Sequence, residues 1–242
     1  MGCAASTERQ GEWRDTAFQS LGELRGVLRW SGLRSTNLII GIDFTRSNMW
    51  NGKHSFGGRY LHFVDPTGLD LNPYQIVVNI IGRTLHSRKN GSPCRGVGHI
   101  LKRYTEITPE LVLEGPTNFA PIIYHAIRRV KASGTCQILV IIADGQVTSE
   151  KETSQAVAEA SKYALSIIVV GVGDGPWKEM EQYKSTLPMR KFENFHFVNL
   201  NRVMRENPEQ PALSLAIAAL AHIPDQLAAI RRLGLLQTSK ND

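Results

Sequence analysis

The chain has 242 residues, of which 42% are apolar and 21% charged, with a formal net charge of +6. This is ordinary soluble globular composition, and the mild positive balance permits contact with an anionic membrane leaflet or nucleic acid without demanding either. Three cysteines (Cys3, Cys94, Cys136) without a C-x-x-C pair, and seven histidines without i, i+4 spacing, exclude zinc-finger, RING and helical histidine-metal sites and indicate a reducing compartment.

The chain opens on "MGCAAS". Gly2 and Ser6 match the M-G-x-x-x-[ST] pattern for myristoylation, and Cys3 adds a palmitoylation site. One acyl chain binds a membrane marginally and two bind stably, so the pair is a coherent anchor. The expected location is the cytoplasmic face of the plasma membrane, with a cytoplasmic and nuclear pool. No apolar leader of a secretory signal follows, and no run approaches the ~20 apolar residues of a membrane span.

Residues 15–29 predict a helix with Phe18, Leu21, Leu24 and Leu28 on one face. A buried strand is predicted over 36–43 ("TNLIIGID"), then a helix over 72–87 with Asn72 as cap and Pro73 at its first position. Helices follow at 98–107 and 118–133, the latter closing on basic residues and Gly134. A second buried strand is predicted at 137–144 ("QILVIIAD"), an acid-led helix at 149–163, and a third strand at 165–173 ("LSIIVVGVG"). A helix opened by Pro176 runs to 187. The strand "FHFVNL" covers 195–200, and a helical stretch over 211–236 is broken or kinked at Pro224. Continuous Val/Ile/Leu strands separated by helices predict an α/β fold, a Rossmann-like, doubly wound, mostly parallel sheet covered on both faces. No internal repeat or low-complexity segment interrupts it.

In such sheets ligands sit at the carboxyl ends of the strands. The first strand ends in Asp43-x-Thr45-x-Ser47 and the second in Asp144, and the loop "EGPTNFAP" holds Thr117 before a helix. Two carboxylates and three hydroxyls at one rim suit a hard cation, Mg²⁺, Mn²⁺ or Ca²⁺, rather than zinc. On spacing alone the same residues are read equally well as helix caps and loop hydrogen-bond partners.

Three stretches, "DFTRS", "GPTNFAP" and "IIADGQVT", together resemble the von Willebrand factor A-like domain of copines and of plant RING ubiquitin ligases of the RGLG type. "NPYQIVVNIIGRTL", "LSIIVVGVGDGPW", "FENFHFVNL" and "IPDQLAAIRRLGLL" are similar to the same group. The resemblance spans 34–236, between a lipidated segment at 1–33, which includes the predicted helix, and a tail at 237–242. It implies a metal-ion-dependent adhesion site formed by Asp43, Thr45, Ser47, Thr117 and Asp144, with Mg²⁺ (or Mn²⁺ or Ca²⁺) as cofactor. It also implies a protein partner that presents an acidic side chain. Myristoylated N-termini occur among the plant ligases, in keeping with Gly2.

Two departures from the family pattern stand out. "NGSPCRGVGHILKRY" (90–104) runs almost directly into a helix where relatives carry more sequence, so "PCRGVG" is read as the remnant of a strand and the sheet as short by one or two strands beside Asp43. No cysteine follows Cys136, so this chain is expected to carry no RING. Nor are paired C2 domains expected before residue 34. The expectation is therefore a membrane-tethered, divalent-metal-dependent protein-binding module without catalytic residues. The alternative is an adaptor, a RING-less relative of a ubiquitin ligase, acting with ubiquitin-pathway proteins.

Other chemistries fit less well. Gly171, Gly173 and Gly175 follow a strand, but their spacing is wrong for G-x-G-x-x-G and no acid follows in range, so a tight turn is the simpler reading. No G-x-S-x-G elbow supports a hydrolase, and a metal-assisted phosphatase would want more carboxylates. Arg and Lys are spread without an aromatic-interleaved strip, so no nucleic-acid partner is expected.

Overall fold

Four aliphatic segments form one parallel sheet in the order β1 (Asn37–Ile42), β2 (Gln137–Ala143), β3 (Leu165–Gly171) and β4 (Phe195–Asn199). The computed structural model describes residues 18–33, 37–85 and 95–236. Alternation along each strand feeds two cores. Ile138, Val140 and Ile142 of β2 face one side with Ile168 and Val170 of β3, while Leu139, Ile141, Ile167 and Val169 face the other. Both faces are therefore apolar, which is why these strands read as unbroken Val/Ile/Leu runs.

The first face is covered by α1 (Leu21–Trp30), α2 (Pro73–Leu85) and α8 (Pro211–Leu220), through Leu24, Leu28, Val77, Ile81, Leu215 and Ala219. The second is covered by α4 (Ala120–Ser133), α5 (Glu150–Ala160) and α6 (Lys178–Thr186), through Ile123, Ile127, Val157 and Met180. Two successive crossovers, β2–α5–β3 and β3–α6–β4, place both helices on the same face, as crossovers of constant hand require. The doubly wound α/β expectation holds.

Local chemistry sets the element ends. Asn72 Oδ1 accepts from Gln75 N at 2.9 Å and Gln75 Oε1 accepts from Asn72 N at 3.0 Å, a reciprocal cap in front of Pro73. Gly134 closes α4 in the left-handed region at φ 65°. Asn199 Oδ1 accepts from Arg202 N at 3.1 Å and starts α7 (Leu200–Glu206) directly at the end of β4. Pro211–Arg232 is apolar and long enough to cross a membrane by composition, but 61% of its most apolar 18-residue stretch is buried in the domain. It is split into α8 and α9 (Ile223–Arg232), with Pro224 in the first turn of the second helix.

Three expectations are corrected. The described part of "PCRGVG" is helix and not a strand remnant: α3 runs from Arg95 to Ile107, and Val97, 2% exposed, packs in the first core. A Cβ on Gly82 of α2 would stand 2.7 Å from Val97 Cγ2, so the glycine lets the two helices approach closely. Pro176 lies before α6 rather than in its first turn, after a cis Gly175–Pro176 bond. The helix expected over 15–29 is described as Leu21–Trp30 with Ser20 as cap. Gly2, Cys3 and Cys94 lie outside the described residues.

Among the described residues, β1 pairs with β2 alone. It is the sheet edge, with Leu38, Ile39, Ile40 and Ile42 half-buried.

Candidate functional site

The register Ile42↔Ile142, extended by the Asp43 N–H to Ile142 O bond at 2.9 Å, brings the ends of β1 and β2 side by side. Beyond β1 the chain turns through a short 3-10 segment, Arg46–Met49. This turn folds Thr45 and Ser47 back towards Asp144, almost a hundred residues away in sequence.

Four side-chain oxygens meet there. Thr45 Oγ1 lies 2.8 Å from Asp43 Oδ2, 3.1 Å from Asp144 Oδ1 and 3.1 Å from Ser47 Oγ. Ser47 Oγ lies 2.9 Å from Asp144 Oδ1. Thr45 is 5% exposed and Asp144 fully buried. The two hydroxyls supply two protons for four oxygen–oxygen contacts, so the cluster is short of positive charge. Burial pushes Asp43 from its ordinary 3.8 up to about 7, with the nearby Asp144 charge adding to the rise. Burial raises Asp144 as well, against the hydrogen bonds it accepts from Ser47, Thr45 and Asn51. One buried and one half-buried carboxylate with hydroxyl neighbours and no basic side chain are the donor set that a hard divalent cation would relieve.

Thr117 is also buried, at 5% exposure. Its loop is tied to the one following β2, because Thr117 O accepts from Thr148 N at 3.0 Å and from Thr148 Oγ1 at 3.2 Å. Its side chain is not among the hydrogen bonds that join the other four residues. Among the described residues, no group of three or more His, Cys, Asp or Glu side chains gathers as a metal cluster.

A second set of residues, not apparent from the motif, holds the first in place. Asn51 Nδ2 donates to the backbone and carboxylate oxygens of Asp144, both at 3.0 Å. Asn48, fully buried, donates from Nδ2 to Thr45 O at 3.0 Å, and the Tyr74 hydroxyl donates to Asn48 Oδ1 at 2.6 Å. His62 Nε2 faces the Asp43 carbonyl at 2.9 Å. A carbonyl only accepts, so this nitrogen carries the proton and Nδ1 accepts from the Tyr104 hydroxyl at 2.8 Å. Tyr104 in turn accepts from Asn72 Nδ2 at 3.1 Å. Burial lowers His62 from 6.5 to about 4, which keeps it in the neutral form this chain of bonds requires. Its ring is sandwiched between Phe44 and Tyr74, at centroid distances of 4.3 and 4.0 Å. The one sequence signal for this layer was the polar and aromatic residues scattered at 48–74, which fit no spacing template.

The turn places Arg46, Met49 and Trp50 at the rim, and Met49 and Trp50 are each 58% exposed. Gly173 and Gly175 adopt positive φ after β3, the tight turn that the simpler reading of this stretch required.

Residues 84–239 match the family model described as Copine. The chain is 43% identical over 250 residues to Copine family protein 1 of Caenorhabditis elegans, covering 92% of this chain and 22% of that protein. It is 41% identical over 259 residues to the E3 ubiquitin-protein ligase RGLG5 of Arabidopsis thaliana, covering 90% and 59%. For RGLG4 of the same plant the identity is 40%, with 90% and 64% covered. The chain thus spans from about a fifth to less than two thirds of these relatives.

Proposed function

The chain belongs to the copine family, and on that footing we propose that it is a divalent-cation-dependent protein-binding module, tethered to a membrane surface by acyl groups on Gly2 and Cys3. The carrying observation is the proton-poor oxygen cluster at the ends of β1 and β2. Asp43, Thr45, Ser47 and Asp144 would hold the ion directly or through water, with Thr117 on the facing loop. Mg²⁺, Mn²⁺ and Ca²⁺ all suit these donors. A bound ion with two carboxylates keeps positive charge for an acidic side chain of a partner protein. Arg46, Met49 and Trp50 would frame that contact, since Trp, Met and Arg are residue types enriched in interface centres.

The test is thermal melting of the metal-free chain with and without Mg²⁺. A rise in Tm that Asp43→Ala abolishes supports the site; an unchanged Tm in the folded wild type removes it. The anchor is tested separately by cell fractionation, where Gly2→Ala should move the protein from the membrane to the soluble fraction.

The identity to RGLG ligases favours a second reading, in which this module selects proteins for ubiquitination as an adaptor. Co-capture of a ubiquitin-conjugating or ligase component that depends on Asp144 would support it. Loss of that capture with the metal site intact would count against it.

A further inference from the structure

β1 (Asn37–Ile42) borders the sheet, and the direction of its backbone groups follows from one bond. Asp43 N–H donates to Ile142 O of β2 at 2.9 Å. Backbone groups alternate sides along a strand, so those of Ile39 and Gly41 also point to β2, and those of Leu38, Ile40 and Ile42 point away from the sheet. The Phe44 carbonyl continues this outward set and accepts from Glu114 N at 3.2 Å. Among the described residues, the N–H and C=O groups of Leu38, Ile40 and Ile42 have no hydrogen-bond partner.

An edge of this kind normally carries a charge, a proline or a bulge that keeps other strands off. The stretch "NLIIGI" has no charge and no proline, and its register with β2 runs without a bulge. Leu38, Ile40 and Ile42 pack on the first core and Ile39 on the second, and all four stay half-buried. Ile122 of α4 lies over Gly41, 3.1 Å from where a Cβ would stand, and is half-buried too. The edge thus offers unpaired backbone groups between two partly covered apolar layers.

The spacing of these groups is its own complement. In an antiparallel pair, two opposed residues exchange both of their backbone bonds, and such residues recur at every second position. With Ile40 set opposite Ile40 of a second chain, Leu38 of each falls opposite Ile42 of the other, and every outward N–H meets a C=O. A twofold axis between the two Ile40 residues relates the chains, so their first cores lie on the same side of one continuous sheet. Aliphatic side chains then stand opposite aliphatic ones, and no like charges meet because the strand carries none. A parallel pairing has no such symmetry, because its slanted bonds join a residue to the neighbours of the one opposite.

We propose that the chain forms a twofold dimer by antiparallel pairing of β1 with β1 of a second copy, which extends the sheet across both molecules. Pairing ends at Ile42, before Asp43, so the two oxygen clusters lie beyond opposite ends of the shared strands and stay open. The dimer is independent of the cation site.

The test uses the full chain produced without acylation, in chelator, so that neither the acyl anchor nor a bound cation enters. Sedimentation equilibrium should give a dimer mass at about 100 μM that falls to the monomer on dilution. Residue-resolved amide hydrogen exchange should show Leu38, Ile40 and Ile42 at least about tenfold slower in the dimer than in the dilute monomer, with Ile39, Gly41 and Asp43 protected in both. Residue 40 faces itself across the axis, so its charge variants report the register. Ile40→Lys and Ile40→Glu, each of wild-type circular dichroism, should be monomers, and an equimolar mixture of the two should dimerise. Where either variant fails to fold, the exchange of the wild-type chain decides. A wild-type monomer at about 100 μM, a mass above the dimer, exchange of those three amides unmoved by concentration, a folded Ile40→Lys that remains a dimer, or a mixture of the folded charge variants that stays monomeric would overturn the proposal.

Discussion

Replacing Asp43 by Asn separates a cation site from a merely structural cluster. Asp43 is raised from 3.8 to about 7 chiefly by burial, with Asp144 contributing. In the metal-free protein the folded state therefore keeps a proton that the unfolded chain has released. The folded state binds more protons between those two values, so stability falls as pH climbs from about 3.8 to about 7. By pH 8 the full difference is present, about 4 kcal/mol at 1.36 kcal/mol for each pH unit. The amide of Asp43→Asn removes the charge and keeps an oxygen that accepts from Thr45 Oγ1. Metal-free Asp43→Asn should then be more stable than wild type at pH 8 by about 2–4 kcal/mol, a Tm increase of order 10 °C. The two proteins should converge near pH 4. With Mg²⁺ at about a hundredfold over its Kd the wild type gains about 2.7 kcal/mol, and the variant gains none. Circular-dichroism melts across pH, in chelator and then in Mg²⁺, read both arms. A variant less stable than wild type at pH 8 without metal, or one stabilised by Mg²⁺ as much as wild type, refutes the reasoning.

Thr117→Val should leave metal-free stability within about 1 kcal/mol of wild type, since its hydroxyl is outside the bonds joining the other four residues, yet reduce the Mg²⁺-induced Tm rise. Tyr74→Phe leaves Asn48 Oδ1 without its 2.6 Å donor and should cost about 1–3 kcal/mol in denaturant titration. His196 has its folded value lowered from 6.5 to about 4, so the unfolded chain binds more protons in that window and stability drops as pH falls through it, by up to about 3 kcal/mol. The neighbouring His222, Lys184 and Glu193 titrate or carry charge in both proteins, so the difference between wild-type and His196→Gln melts isolates this slope. Gly173→Ala puts a Cβ 2.6 Å from Asn51 O at φ +81°, and should both destabilise the fold and loosen the Asn51–Asp144 bonds, seen as a lower Tm with a weakened Mg²⁺ response.

What the sequence disclosed follows from which forces are local. The four strands stand out because both faces of a parallel sheet are dry, and Asn72-Pro73 marks a helix start because capping is a contact three residues long. The start of α3 is hidden, because Gly96 and Gly98 disfavour a helix and the packing of Val97 against Gly82 of α2 is a tertiary contact with no local signal. α7 is hidden for another reason: Asn199 is at once the last residue of β4 and the cap of the next helix, so no loop separates them. At the site, Asp43 and Asp144 are brought side by side by the register of two strands legible as aliphatic runs, and the turn after β1 adds Thr45 and Ser47. The layer of Asn48, Asn51, His62 and Tyr74 escapes, because its bonds join residues from loops and helices with no common period.

The Asp43–Thr45–Ser47–Asp144 cluster is held without a second neighbour to β1 among the described residues. The alignment with RGLG5 runs to 259 positions but engages 90% of this chain, about 218 residues, so roughly 41 positions of the relative have no counterpart here. β1 meanwhile has one neighbouring strand among the described residues. If a further strand were what shaped the end of β1, the loss would scatter Asp43, Thr45 and Ser47. Their restraints come instead from two other directions. β2 fixes the height of Asp43 through Ile142 O. His62 and Asn48, braced by Tyr104 and Tyr74 of α3 and α2, hold the Asp43 carbonyl and the turn that follows it. The side of the cluster that faces the sheet is Asp144, itself fixed by β2 and Asn51. The geometry of the oxygen cluster is thus independent of any further strand beside β1, and the effect of an uncovered edge falls on the stability of β1, whose aliphatic side chains are half-buried.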